Sequence, residues 1–243
     1  MGPTAGGQAG SVLVTGVYLC DKEHQTPAIV NELARSRDWR VDQRWVALGE
    51  RGAPDALAQS TIAHRATAAP KFTILNEVLR TLPLGTYAYI VVCDDDVRLP
   101  DGFLDAYLDA VGKYDFALAQ PARSHDSFID HPFVEQLDGL SARWTRFVEI
   151  GPVFSIRRDA VPSLVPFDEA SPMGWGYDFV WPVTMERAGL KLGVVDRTPV
   201  VHNFRKPVAH YDHGSADQAM QRYLDAQPHV SKAEAFTIVE SYA

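Results

Sequence analysis

Two cysteines in 243 residues are too few for a disulfide framework, and Cys20 and Cys93 show no paired spacing of the zinc-site kind. Both stand in apolar, strand-like stretches and read as buried free thiols. Positive charge is also scarce: 23 Lys and Arg face 31 Asp and Glu, a net charge of −8. That balance excludes a general nucleic-acid or anionic-membrane surface. A phosphate-bearing ligand must then be neutralised locally, by a metal ion or a few placed basic side chains. No stretch approaches the roughly 20 consecutive apolar residues of a membrane span. The first ten residues are glycine-rich and uncharged rather than basic and apolar, so a soluble, cytoplasmic protein is expected.

What is present is enough for one large core, with 46% hydrophobic and 22% charged residues and no internal repeat. Residues 1–10 are small and polar and predict a flexible lead-in. From Ser11 the elements alternate. Residues 12–19 read as a buried strand, and Thr26-Pro27 offers an N-cap and a first-turn proline for a helix carrying Ile29, Val30, Leu33 and Ala34. A strand is expected over 44–48, and 50–70 reads as a long functional loop. Phe72, Leu75, Leu79 and Leu82 mark a helix ended by Pro83 and Gly85, and residues 87–92 form the next strand. Phe103, Leu104, Tyr107, Leu108 and Val111 line a third helix before a short strand over 116–119. This β-α-β rhythm predicts an α/β protein with a doubly wound, mostly parallel sheet flanked by helices. Residues 121–143 are polar and predict an insertion over the sheet. Strand character returns over 147–156, with Gly151-Pro152 suggesting a bulge or an edge because proline cannot donate to a ladder. A glycine and aromatic cluster then opens a helix ending at Gly189, residues 192–201 deliver His202, and 211–243 reads as a helical tail able to pack on its own domain or to mediate a homodimer.

The most informative feature is Tyr89-Ile90-Val91-Val92-Cys93 running directly into Asp94-Asp95-Asp96. Three adjacent carboxylates repel one another and lose hydration at a buried strand end, so a cation between them is the economical explanation. Hard divalent ions take oxygen ligands, and continued strand geometry would point Asp94 and Asp96 one way and Asp95 the other. An acidic run also reads as a solvated loop, but loops at strand carboxyl ends are where open α/β sheets bind ligands.

Three separated elements complete the pattern: the Asp triplet, Gly174-Trp175-Gly176-Tyr177-Asp178 opening a helix, and His202 after a later strand. Together they resemble metal-dependent glycosyltransferases of the GT-A fold. More narrowly, Phe147-Val148-Glu149-Ile150-Gly151-Pro152-Val153-Phe154-Ser155, the Gly-Trp-Gly-Tyr-Asp turn, and Gly193-Val194-Val195-Asp196 with His202 resemble a plant and bacterial family catalogued only as a domain of unknown function near those enzymes. The likeness covers about residues 87–202. The chain departs from it at Gly151 and over 121–143, which leaves the acceptor outside what the likeness implies.

The resemblance implies a single GT-A-like catalytic domain over 11–210, with a nucleotide-binding half over 11–120 and an acceptor and metal half over 121–210. It implies an inverting transfer of a sugar from a UDP- or GDP-sugar to an acceptor hydroxyl, the acceptor being a carbohydrate or a small molecule. Asp96 is expected as a direct metal ligand, Asp94 as a ligand through water or a ribose contact, Asp95 in either role, and His202 as the nitrogen ligand. A carboxylate and imidazole set suits Mn2+ better than calcium, with Mg2+ as the other choice. His202 reads equally as a polar residue at a strand end. Asp178 is the expected general base, although an aspartate there is also an ordinary N-cap. Trp175 and Tyr177 offer flat faces for an acceptor sugar, and Trp175 reads equally as core. Thr15, Gly16 and Tyr18 are expected at the base and ribose, and Lys71, Asn76 and Arg205 at the diphosphate or ribose, with Lys206 beside the last as a mobile clamp. Two other readings share these residues. One is a phosphohydrolase with Asp94 as nucleophile, which disfavours Arg98 where that class has a small hydroxyl residue. The other is a non-catalytic sugar-nucleotide binder.

Overall fold

Alternation in the first strand separates two cores. In the computed structural model, which describes residues 10–205 and 213–243, β1 (Gly10–Leu19) turns Val12 and Val14 to one face and Leu13 to the other. The central strand β4 (Tyr89–Cys93) does the same, with Val91 and Cys93 on the first face and Ile90 and Val92 on the second. Strands that are apolar on both faces belong inside a sheet covered on both sides. Helices α1 (Thr26–Leu33) and α3 (Phe103–Lys113) cover the first face through Ile29, Leu33, Phe103, Tyr107 and Leu108. Helices α2 (Lys71–Arg80) and α5 (Tyr177–Ala188), with the short α4 (Val161–Leu164), cover the second through Phe72, Leu75, Leu79, Val161, Leu164, Val180 and Trp181.

The remaining strands are β2 (Trp39–Leu48), β3 (Thr61–Arg65), β5 (Phe116–Arg123), β6 (Ala142–Thr145), β7 (Val153–Arg157), β8 (Lys191–Val200) and β9 (Ile238–Tyr242). Among the described residues they form one nine-stranded sheet, ordered β3-β2-β1-β4-β7-β5-β8-β6-β9. β1 runs parallel to β2 and β4, β2 to β3, and β5 to β8, whereas β7 is antiparallel to both β4 and β5, and β6 to both β8 and β9. Only β6 and β7 therefore oppose the common direction, and the mostly parallel, helix-flanked sheet expected from the β-α-β rhythm is what the chain forms.

Several local expectations are corrected. Gln25 occupies the N-cap position of α1 and Thr26-Pro27 its first two residues. The stretch over 50–70 contains β3, so it is not a structureless loop. β5 extends through Pro121 to Arg123, with its ladder shifting register there. Gly151-Pro152 marks neither a bulge nor an edge: Pro152 precedes β7, which sits at the centre of the sheet and loses no ladder donor to it. The tail is not wholly helical. Helices α6 (His213–Ala226) and α7 (Lys232–Ala235) lead into β9, which pairs with β6 at the sheet edge. The tail packs on its own domain: Tyr223 lies against Tyr177 with ring centroids 5.4 Å apart, and Phe236 stacks on Phe133 at 5.2 Å. Residues 1–9 and Lys206, singled out above, lie outside the described residues. Cys20 and Cys93 are buried free thiols, as expected.

Candidate active site

The carboxyl ends of β1, β4, β5 and β8 open on one rim, where the Asp triplet, Arg123 and His202 gather. β4 stops at Cys93, so the triplet leaves strand geometry and its side chains do not alternate. Asp94 turns to Lys71, with Nζ 2.5 Å from Oδ1. Asp95 turns inward, where its Oδ2 accepts from the Leu19 amide at 2.8 Å and its Oδ1 from Arg205 at 2.5 Å. Asp96 faces His202, whose Nε2 lies 3.2 Å from Oδ1, and its Oδ2 accepts from Arg205 at 3.2 Å. Burial pushes the Asp95 carboxyl up against the pull of Arg205. Burial also penalises an ionised Asp96, but the bond to His202 and the charges of His202, Arg205 and Lys71 outweigh it and hold this carboxyl below its ordinary value.

Behind His202 stands a residue the sequence reading did not assign. Arg123, at the end of β5, has a side chain only 3% exposed; it donates to Glu149 Oε2 at 2.5 Å, to the carbonyl of Phe128 at 2.7 Å, to that of Gly151 at 3.2 Å and to His202 Nδ1 at 3.3 Å. Glu149 is equally enclosed, and burial drives its carboxyl up even with Arg123 pulling it down. The charge of Asp178 acts on the same carboxyl. One connected set of groups therefore runs from Asp96 through His202 and Arg123 to Glu149, with Asp178 at its far end. The available signals were an arginine four residues beyond a strand-like run and a glutamate inside an otherwise apolar block.

Asp178 sits in the first turn of α5, and the N-cap position belongs to Gly176, whose φ of 92° suits glycine alone at little cost. That glycine also lies against Met220 and Leu224 of α6. Asp178 is 6% exposed, and burial raises its carboxyl from the usual range to about 7, with the amides of the helix start pulling the other way. Its Oδ1 is buried without a hydrogen-bond partner, while Oδ2 lies 3.9 Å from Nε2 of His131. A nearly neutral-range carboxyl with a free oxygen is what a general base needs, and burial alone accounts for it.

Other expected site residues are drawn elsewhere. Thr15 and Tyr18 are fully buried; the Thr15 hydroxyl donates to the Arg44 carbonyl at 2.8 Å, and the Tyr18 hydroxyl meets Thr61 Oγ1 at 2.8 Å. Gly16 serves packing, since a Cβ there would overlap the Cys93 carbonyl and the Trp45 ring. Asn76 is 1% exposed and clamps Phe167 with both amide atoms, Nδ2 to the carbonyl at 2.8 Å and Oδ1 from the amide at 2.8 Å. Tyr177 is 1% exposed within an aromatic cluster with Phe72 and Trp181, its hydroxyl donating to the Asp168 carbonyl. These side chains have structural partners and are not offered to a ligand. Trp175 is half-buried.

The donor set can be tested for a divalent ion. Asp96 Oδ1 and His202 Nε2 face each other at a separation one bridging ion can span, and oxygen with imidazole nitrogen suits Mn2+. Asp94, held by Lys71, does not join them, and among the described residues no three Asp, Glu, His or Cys side chains cluster as a ready-made cage. The pair fits an ion completed by phosphate oxygens and water, as nucleotide-bound divalent ions commonly are. Ligation through Nε2 places the ring proton on Nδ1, so the contact with Arg123, itself only a donor, must then lengthen.

No family model and no curated protein matches the sequence. Solved structures do share its fold. GalNAc-T7, crystallised with UDP, GalNAc and Mn2+, is 12% identical with a TM-score of 0.58 over 88% of this chain, which spans 47% of that one. Staphylococcus aureus TarS, residues 1–349 with UDP-GlcNAc, is 9% identical with a TM-score of 0.55 over 88% of this chain and 71% of its own. A mycobacterial protein is 14% identical with a TM-score of 0.54 over 92% and 77% of the two chains. The chain thus has the GT-A fold, and it spans about half the length of the GalNAc-T7 structure. Among the described residues no helix is long and apolar enough to cross a membrane.

Proposed function

We propose that the protein is a metal-dependent glycosyltransferase that moves a sugar from a UDP- or GDP-sugar to an acceptor hydroxyl with inversion. The observation that carries this reading is the approach of Asp96 to His202, 3.2 Å apart at the carboxyl end of the sheet and joined through Arg123 and Glu149 to the environment of Asp178. Two structures of the same fold, GalNAc-T7 and TarS, were crystallised with UDP and with UDP-GlcNAc, which supports a nucleotide-sugar donor.

Asp96 and His202 would hold the ion, which supplies positive charge to the diphosphate as it leaves. Lys71, beside Asp94 and 4.0 Å from where a Gly151 Cβ would lie, can offer its ammonium to the same phosphates. Asp178 takes the acceptor proton on its unpartnered Oδ1, and attack from its side of the sugar, opposite the leaving group, inverts the anomeric centre. Residues 124–141 and Trp175 are the acceptor side by position. A panel of UDP- and GDP-sugars incubated with the protein and Mn2+ tests the reading. One donor should release nucleotide by transfer or slow hydrolysis, and release should stop when EDTA is added. Nucleotide release that EDTA leaves unchanged, or no release from any donor, contradicts it.

A further inference from the structure

Three carboxylates in a row need counter-charge, and here the chain provides its own. Lys71 answers Asp94 at 2.5 Å. Arg205 answers the other two: one arm donates to Asp95 Oδ1 at 2.5 Å and to Asp96 Oδ2 at 3.2 Å, and the other to the Glu23 carbonyl at 2.8 Å and Asp95 Oδ2 at 3.4 Å. A guanidinium is always charged and only donates, so it neutralises this pair much as an ion would. An ion that approaches Asp96 therefore meets a resident cation, and two cations on one partly buried carboxylate repel strongly. The two carboxylates are not equivalent in this. Asp95 is anchored by the Leu19 amide at 2.8 Å and stays with the fold, whereas Asp96 is the one that faces His202.

We propose that Arg205 withholds Asp96 from a free divalent ion until a nucleoside diphosphate arrives, so that the site selects the metal together with its nucleotide. The inference rests on the reading of the site as a metal and diphosphate centre. A diphosphate binds a guanidinium through paired, charge-assisted hydrogen bonds and gives Arg205 an alternative to the carboxylates. Its release then opens Asp96. Metal and nucleotide affinities become coupled, and the coupling must be the same in both directions.

Mn2+ binding, followed by loss of the free-ion EPR signal on titrating the full chain with and without UDP, tests this without any turnover. In the wild type, UDP should tighten Mn2+ binding by about tenfold or more. Arg205→Gln should bind Mn2+ alone about tenfold more tightly than the wild type, and UDP should then add little. Arg187→Gln removes the same charge from an exposed position of α5 and should behave as wild type. Equal or weaker Mn2+ binding by Arg205→Gln without UDP overturns the proposal, as does a wild type that binds Mn2+ equally with and without UDP. If the wild type takes up no Mn2+ even with UDP, the metal reading of the site falls and this inference falls with it.

Discussion

An Asp178→Asn protein should melt at a higher temperature than the wild type at pH 8 and transfer sugar about a thousandfold more slowly. Both effects follow from one cause. Burial raises the Asp178 carboxyl from its ordinary value near 3.8 to about 7. Between those limits the folded chain holds a proton that the unfolded chain has released, so stability falls as pH rises from about 4 to about 7. Above that window the penalty reaches about 4 kcal/mol as an upper figure. Asparagine keeps the shape and removes the charge, so the variant should lose this pH dependence. Catalysis runs the other way, because a general base must be ionised: wild-type kcat/KM should climb with pH through about 7. Melting curves from pH 5 to 8.5 on both proteins, with UDP release as the rate measurement, decide the matter. Parallel melting profiles in the two proteins would show that Asp178 does not carry the buried charge.

Arg123→Met should cost about 3–5 kcal/mol, because it leaves the enclosed Glu149 carboxylate without its cation. Burial holds the Glu149 carboxyl up at about 8 even beside Arg123, so the deficit should stay level below that pH and widen only above it, where Glu149 in the variant has to ionise unaided. Replacing both partners, Arg123→Met with Glu149→Met, should restore most of the stability, as apolar substitutes for a buried ion pair commonly do. Stabilisation by UDP with Mn2+ should return with it, because an Nε2-ligated His202 carries its proton on Nδ1, where Arg123, only a donor, has no part. Urea unfolding at pH 6 and pH 9.5, on either side of that value, gives the stability comparison. A double variant as unstable as the single one would mean that Arg123 acts through the Phe128 and Gly151 carbonyls rather than through Glu149.

The two-faced sheet and the Asp triplet were legible because burial writes itself into strands: an apolar run on both faces, then charge, has few other meanings. The structural roles of Asn76, Thr15, Tyr18 and Tyr177 were not legible. Each is a polar side chain whose partner lies elsewhere in the chain, 91 residues away for Asn76, 43 for Tyr18, 29 for Thr15 and 9 for Tyr177, and one sequence does not display that pairing. Arg123 was missed because Pro121 reads as a strand terminator, yet β5 shifts register and continues. β9 was missed because Ile238-Val239-Glu240-Ser241-Tyr242 is short and mixed, and only the open edge of β6 makes it a strand. The shared approach of Asp96 and His202 was legible from their places at two strand ends, whereas the separate allegiance of Asp94 to Lys71 depends on where α2 begins.

The central claim is that Asp96 and His202 grip an ion under a nucleotide diphosphate, and thermal stability tests it most directly. Wild-type protein should gain several degrees in Tm with UDP and Mn2+ together, and Asp96→Ala should gain none under the same conditions. Equal gains in the two proteins would contradict the claim.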